Sequence, residues 1–377
     1  MNNTVKWISG LVIIGVIAAV GYSIFSKKGA GESTDLSEPI KIGLSSPMTG
    51  EAASVGESFT AGAQLAVKEI NDAGGVNGRK VELIVEDDQC SSKGVNTVTK
   101  LVEIDKVTAI VGPLCSAAAG PGLPVAQKAG VPVIVVGSAP HLTKVGDYIF
   151  RDYPSDAFQG KFVAEYIINE LKKKKVSVIY TNNDWGSGIR GVFVERLKAL
   201  GGEVTHDEGV AQDVSDLRTV ITKAKAANPE VVYFPVYPAN GVAGLKQMKE
   251  LGITVPIIGG DAFDSEEIWR VPEAEGALYT AAKTNNPDEF KQRVKDATGK
   301  DAGPFSPYAY DGVRIFAEII KKVGTDRKAI RDELAQTVYE DALSVPVIEF
   351  DQEGDLKEAV FEVKIVKSGK PENYYSK

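Results

Sequence analysis

Short β-branched runs alternate with stretches of helical period from Ile40 to Val136, and this alternation restricts the fold more than any other feature of the chain. Ile40 to Ser45 reads as a strand and Glu57 to Asn71 as a helix, with Phe59, Ala63, Ala66, Val67 and Ile70 on one face. Asn71-Asp72-Ala73-Gly74-Gly75 stops that helix, and Asn77-Gly78 turns the chain into a strand from Lys80 to Glu86. Val95 to Ile104 is a second helix with Val95, Val98, Leu101 and Val102 inward. Ala109-Ile110-Val111 forms a third strand, Leu123 onward opens a helix, and Val131 to Val136 forms a fourth strand. Strands joined by helical crossovers specify a parallel sheet covered on both faces.

The alternation then starts again. Helices are expected at Phe158 to Leu171, Gly188 to Leu200, Leu217 to Ala227 and Gly241 to Leu251. Strands are expected at Val176 to Tyr180, Glu203 to Glu208, Val231 to Pro235 and Pro256 to Gly259. Arg151 to Asp156 reads as the boundary between two lobes, which a chain of 377 residues needs to bury its apolar surface. Helices follow at Pro307 to Val323 and Lys328 to Val338, then strands at Val345 to Phe350 and Ala359 to Val366 around the turn Asp351-Gln352-Glu353-Gly354-Asp355. The expected class is α/β, with two doubly wound, Rossmann-like lobes and a hinged cleft between them, and ligands of such sheets bind beyond the carboxyl ends of the strands.

The N-terminus differs in kind. From Trp7 to Ser26 no residue is charged, Lys6 precedes the run and Lys27-Lys28 follow it. The length suits a membrane-spanning helix. A secretory signal cleaved near Ala19-Val20-Gly21 is the rival. The anchor is preferred because Tyr22 to Phe25 carry the run beyond a signal core, and Gly29 to Glu38 then reads as a polar linker. Either way the remainder lies outside the cytoplasm, anchored or secreted. Cys90 and Cys115 are the only cysteines. In an exported chain they suggest one disulfide, with two buried free thiols as the alternative. A net charge of −8 argues against a nucleic-acid partner, and His141 and His206 lack metal-ligand spacing.

The residues after each strand carry the functional signal. Ala109 to Ser116 runs from a strand through Gly112-Pro113 into small residues and a helix start, an arrangement that aims backbone N–H groups at an anion. Gly137-Ser138 follows the fourth strand. On the other side Trp185, Tyr237 and Asp261 follow strands. Hydroxyls and amides facing aromatics and a carboxylate suit a zwitterion, with Ser116 and Ser138 on its carboxylate, Asp261 on its ammonium and Trp185 and Tyr237 closing over it. Asp261 as a helix cap and Trp185 as a core anchor are the plainer readings. No GxGxxG follows the first strand, and neither GxxxxGK[ST] nor GxSxG occurs, so neither an enzyme nor a nucleotide or other cofactor is expected.

These residues resemble the extracytoplasmic solute-binding proteins of the branched-chain amino acid type that serve ABC importers. The likeness is carried by Ile42-Gly43, Gly62 to Ala66 with Glu69-Ile70-Asn71, and Gly74 to Gly78. Asp87-Asp88, Val111 to Ser116, Gly186-Ser187-Gly188, Gly259-Gly260-Asp261 and Tyr308 to Asp311 continue it, from about residue 39 to the end. The resemblance implies a type I periplasmic-binding fold with three crossings, a Cys90–Cys115 disulfide, and Ser116, the Gly137 backbone and Ser138 as carboxylate ligands. It places an acid, usually Glu, where Asp261 stands, and cleft aromatics at Trp185 and Tyr237. Val55 stands where leucine-binding members carry an aromatic, which leaves the side-chain pocket open. It further implies one lobe from residues 39–156 and 286–358, the other from 157–285 and 359–377, with 1–38 as anchor or signal plus linker. The chain is then expected to act as a monomer that hands an amino acid to a membrane permease. Amides, urea or aromatic acids as ligands, or a ligand-sensing receptor domain, are the alternatives.

Overall fold

The computed structural model describes residues 38–50, 52–285 and 287–376. The expected anchor at Trp7 to Ser26 lies outside these residues. Among the described residues no helix is long and apolar enough to cross a membrane.

The first half alternates as β1 (Ile40–Ser46), α1 (Ala53–Asp72), β2 (Val81–Asp87), α2 (Gly94–Thr99), β3 (Ala109–Val111), α3 (Ser116–Ala129), β4 (Val133–Val135) and β5 (Ile149–Arg151). The second continues as α4 (Asp156–Asn169), β6 (Lys175–Thr181), α5 (Asp184–Ala199), β7 (Glu203–Val210), α6 (Arg218–Ala226), β8 (Val231–Phe234), α7 (Pro238–Glu250), β9 (Ile257–Gly259), α8 (Glu266–Trp269) and β10 (Leu278–Ala282). The chain closes with α9 (Asp288–Thr298), α10 (Ser306–Val323), α11 (Arg327–Leu334), β11 (Val338–Tyr339), β12 (Ile348–Glu349), β13 (Phe361–Lys367) and β14 (Lys370–Ser376).

Two sheets result. The first is parallel throughout, in the order β2-β1-β3-β4-β5. The second has the order β14-β13-β10-β9-β8-β6-β7, parallel from β7 to β10 and antiparallel from β10 to β14. The chain passes between them at residues 152–155, returns after β10, and crosses a third time ahead of β13. Phe290, Val294, Tyr308, Phe316, Ile348 and Leu356 thereby join Ile42, Leu44 and Phe59 in one apolar core on the first sheet. Val176, Ile189, Phe193 and Ile258 fill a core on the second.

Several elements depart from expectation. Helix α3 begins at Ser116 rather than Leu123, because Cys115 is extended and the run Ser116 to Ala119 is permissive enough to start the helix despite Pro121 and Pro124 inside it. The helix expected at Val95 to Ile104 relaxes into a π-turn from Lys100. Strand β5 was not expected, because Ile149-Phe150-Arg151 is three residues long and ends on a charge. That charge is the buried Arg151, whose Nε donates to Asp355 Oδ1 at 2.9 Å while Nη2 pairs with Asp355 Oδ2. Its remaining Nη1 donates to the carbonyls of Gly137 (3.2 Å) and Ala139 (2.8 Å). The helix expected to reach Val338 ends at Leu334, and β11 pairs with β12 instead.

Two buried carboxylates give the fold a pH signature. Asp88 accepts from Cys90 N–H and Ser45 Oγ, and Asp311 accepts from the N–H groups of Leu343 and Ser344. Burial nevertheless dominates and pushes both carboxyls up to about 6. The native state therefore holds more protons than the unfolded chain between about pH 4 and 6, and stability falls as pH rises through that window. Each group accounts for at most about 3 kcal/mol. Asp87, held down by Thr49 and by the N–H groups of Met48, Thr49 and Gln89, acts in the opposite sense from the surface. The ligand-free protein is expected to melt at a higher temperature at pH 5 than at pH 7 in a calorimetric scan; the reverse order would contradict this balance.

Candidate functional site

The loops at the carboxyl ends of the strands converge on one cavity. Its walls carry Ser116 and Ser138 from the first-sheet side and Trp185, Tyr237 and Asp261 from the second. Ala52, Val55, Leu114, Val136 and Phe305 make the apolar part, and the cavity encloses about 480 Å³, open solvent at its mouth included.

On the first-sheet side, Gly112 (φ +89°) bends the chain where a Cβ would strike the Ser45 carbonyl at 2.4 Å. The bend delivers Cys115 and the first turn of α3 to the cavity. Ala118 N–H donates to the Cys115 carbonyl at 3.1 Å, whereas the N–H groups of Ser116 and Ala117 have no preceding helical carbonyl, so they and the helix dipole favour an anion there. Ser116 Oγ accepts from Ala139 N–H at 3.1 Å, which leaves its own proton to donate. Cys90 and Cys115 form a disulfide with Cα atoms 5.2 Å apart, packed in one cluster with Ala52, Trp185 and Tyr237.

Gly137 differs from expectation. Its N–H donates to the Pro113 carbonyl at 3.2 Å and its carbonyl accepts from Arg151, so its backbone is already committed. A Cβ at this position would lie 3.1 Å from Ser116 N, tighter than an ordinary contact, so glycine eases the approach of the two loops. Ser138 lines the cavity beside it.

On the second-sheet side, Asn183 caps α5 by accepting from Gly186 N–H and so seats Trp185 in the first turn. Trp185 packs on Tyr237 with ring centroids 4.8 Å apart. Asp261 opens a short 3-10 turn and caps no α-helix; Ser265 caps α8 instead. Asp261 Oδ2 accepts from Tyr153 Oη at 2.7 Å, while Oδ1 is buried without a hydrogen-bond partner among the described residues. Burial raises this carboxyl above its ordinary range, and the Tyr153 hydrogen bond works against the rise.

The expectations omitted Tyr153 and Asp156. Tyr153 stacks against Tyr308 (4.9 Å) and Phe305 (5.4 Å) and holds Asp261 from across the cleft. Asp156, at the start of α4, is fully buried, and its N–H donates to the Ser138 carbonyl at 2.9 Å. Both lie just after β5, so recognising that strand would have brought Tyr153-Pro154-Ser155-Asp156 into the set of residues that follow strands. The two sides of the cleft touch. Ser54 of α1 donates to Glu267 of α8, and a Cβ on Gly188 of α5 would lie 3.2 Å from Pro140.

Two α/β lobes, one sheet parallel and the other mixed, with a buried cleft that offers amides and hydroxyls to an anion, and a carboxylate to a cation, define a solute-binding protein of the type I periplasmic class. The periplasmic binding protein family model matches residues 39–370, and the chain belongs to that family. It is 32% identical over 345 residues to an amino acid binding protein of Pseudomonas aeruginosa, covering 87% of this chain and 90% of that one. It is 31% identical to the leucine-, isoleucine-, valine-, threonine- and alanine-binding protein of the same organism, covering 86% and 89%. Among solved structures it superposes with a TM-score of 0.81 on LivJ, the branched-chain amino acid transporter substrate-binding protein of Streptococcus pneumoniae in complex with isoleucine. Identity there is 29%, over 90% of this chain and all of the other. Membership of this family places the folded part of the chain outside the cytoplasm.

Proposed function

We propose that this chain is the extracytoplasmic receptor of an ABC importer, binding an amino acid of the branched-chain type and delivering it to the membrane permease without catalysing a reaction. The observation that carries this reading is the pairing of Asp261, buried with an unpartnered oxygen, with the amide-rich start of α3 across an apolar cavity. An α-ammonium satisfies the first, an α-carboxylate the second, and an aliphatic side chain fills the space between Val55, Phe305 and the Trp185–Tyr237 pair. The names of the Pseudomonas relatives and the isoleucine complex support the same ligand class.

We further infer that residues 39–156 with 286–358 move as one lobe and 157–285 with 359–377 as the other, with Tyr153–Asp261 and Ser54–Glu267 made on closure. In this reading the chain acts as a monomer, and residues 1–38 tether it to the membrane or export it. The test is titration calorimetry of residues 39–377 with L-leucine, L-isoleucine, L-valine, L-alanine, L-threonine, acetamide, urea and benzoate. Binding of at least one of the amino acids, with no heat from the amides or benzoate, is expected. Benzoate or an amide binding alone would overturn the reading.

A further inference from the structure

One contact between the two sides of the cleft differs from the rest. Ser54 meets Glu267 with both residues exposed, and His141 stands 4.0 Å from Asp184 with both side chains half-exposed. Gly188 and Pro140 make only a van der Waals approach. Polar contacts in water contribute little, because solvent competes for both partners and salt screens the charges. The Tyr153–Asp261 hydrogen bond is 2.7 Å long, and both residues are buried. A bond from a phenol to a buried carboxylate is among the stronger ones a protein makes. Tyr153 is also fixed from both ends. Arg151 before it is tied to Asp355, Pro154 after it restricts its backbone to extended conformations, and Ser155 caps α4 by accepting from Ala157 N–H. Its ring is wedged against Tyr308 and Phe305, so the first-sheet side sets where the hydroxyl stands. Asp261 arrives from the other side, on the 3-10 turn after β9, and divides its oxygens. Oδ2 accepts from the phenol, while Oδ1 has no partner among the described residues.

We infer that Tyr153 is a positioning residue that holds the loaded cleft shut: closing seats its hydroxyl on Asp261 Oδ2, leaves Oδ1 to the ligand's ammonium, and so sets how long the ligand stays bound. The inference rests on the amino-acid reading above and on the two-lobe motion proposed with it. Each partner needs the other. An ammonium on Oδ1 without the phenol leaves Oδ2 buried and unsatisfied, and the phenol alone leaves the carboxylate's charge without a cation. Together they satisfy the acid. Ligand and Tyr153 therefore favour the same closed state, and by linkage each stabilises the other's contact. A ligand enters while the lobes are apart, before Tyr153 reaches Asp261. Removing the hydroxyl thus spares capture and speeds release.

The test is stopped-flow mixing of L-leucine with the unmodified protein, Tyr153→Phe and Ser54→Ala. Should leucine not bind, the first binder from the amino-acid panel replaces it. The rates are read by tryptophan fluorescence, since Trp185 lines the cavity, or by rapid filtration of labelled ligand if the emission is silent. Tyr153→Phe keeps the ring against Tyr308 and Phe305 and removes only the hydroxyl. Its dissociation rate is expected to rise about tenfold or more, with the association rate within about twofold of the parent. Ser54→Ala deletes an exposed contact of the same kind and should change neither rate by more than about twofold. A purely structural defect in Tyr153→Phe would instead slow association or lower the fraction of protein that binds. If that variant fails to fold, Tyr153→Leu, which also lacks the hydroxyl, takes its place. An unchanged dissociation rate, or a loss carried by association, overturns the role of Tyr153 and leaves the amino-acid reading standing. So does an equal rise in Ser54→Ala. No binding by any amino acid in the panel overturns the proposed function, and this inference with it.

Discussion

Asp261→Ala is expected to weaken binding of the best amino-acid ligand by tenfold at the least. In the proposed binding mode the ligand's ammonium meets Asp261 Oδ1, which is buried and has no hydrogen-bond partner among the described residues. Removing one member of a buried charge pair leaves the other uncompensated, a loss of about 2 to 5 kcal/mol, or roughly thirty- to several-thousand-fold in affinity. Ser116→Ala should cost less, because the N–H groups of the first turn of α3 still face the ligand's carboxylate. Thermal unfolding of Asp261→Ala should not fall, since the change removes a buried carboxyl that burial already disfavours. Titration calorimetry on the two variants checks the order. Parent-like affinity in Asp261→Ala would remove the zwitterion model.

The second large effect concerns stability. Cys90 and Cys115 are 25 residues apart in sequence, and closing a loop of that length constrains the unfolded chain by about 3 kcal/mol. The double change to serine should therefore lower the denaturation midpoint by several degrees. It should also loosen the ligand site, because Cys115 lines the cavity and both cysteines pack in the cluster of Ala52, Trp185 and Tyr237. Urea unfolding of the oxidised parent, the reduced parent and the double variant separates the contributions. Equal midpoints for all three would show that the bridge is not structural.

The sequence was informative wherever one physical requirement dominated a segment. Strands β1 and β2 and helices α1 and α10 were legible because long periodic runs leave one folding solution. Ser116, Ser138, Trp185, Tyr237 and Asp261 were legible because each follows a recognised strand, and the structure brings all five to one cavity. Tyr153 and Asp156 were not, since β5 is three residues long and ends on an arginine that only tertiary pairing with Asp355 can bury. Gly137, whose backbone the resemblance offers as a ligand, is a related case. Nothing local reveals that its N–H is spent on Pro113. Likewise β10 draws its pairing from the distant β13, which no window of sequence displays, whereas β14 follows β13 through the two-residue turn Ser368-Gly369.

The three passages of the chain between the sheets have a consequence for biosynthesis. The apolar core around Ile42, Leu44 and Phe59 is completed by Phe290, Tyr308, Phe316, Phe350 and Leu356. The other sheet waits still longer, for β13 and β14 at the end of the chain. A nascent chain that has emerged only through its first two-thirds therefore has two unfinished half-cores and no lobe able to close on its own. Contacts of such long sequence separation form late and slowly. Completion of both cores thus waits for the C-terminal third of the polypeptide.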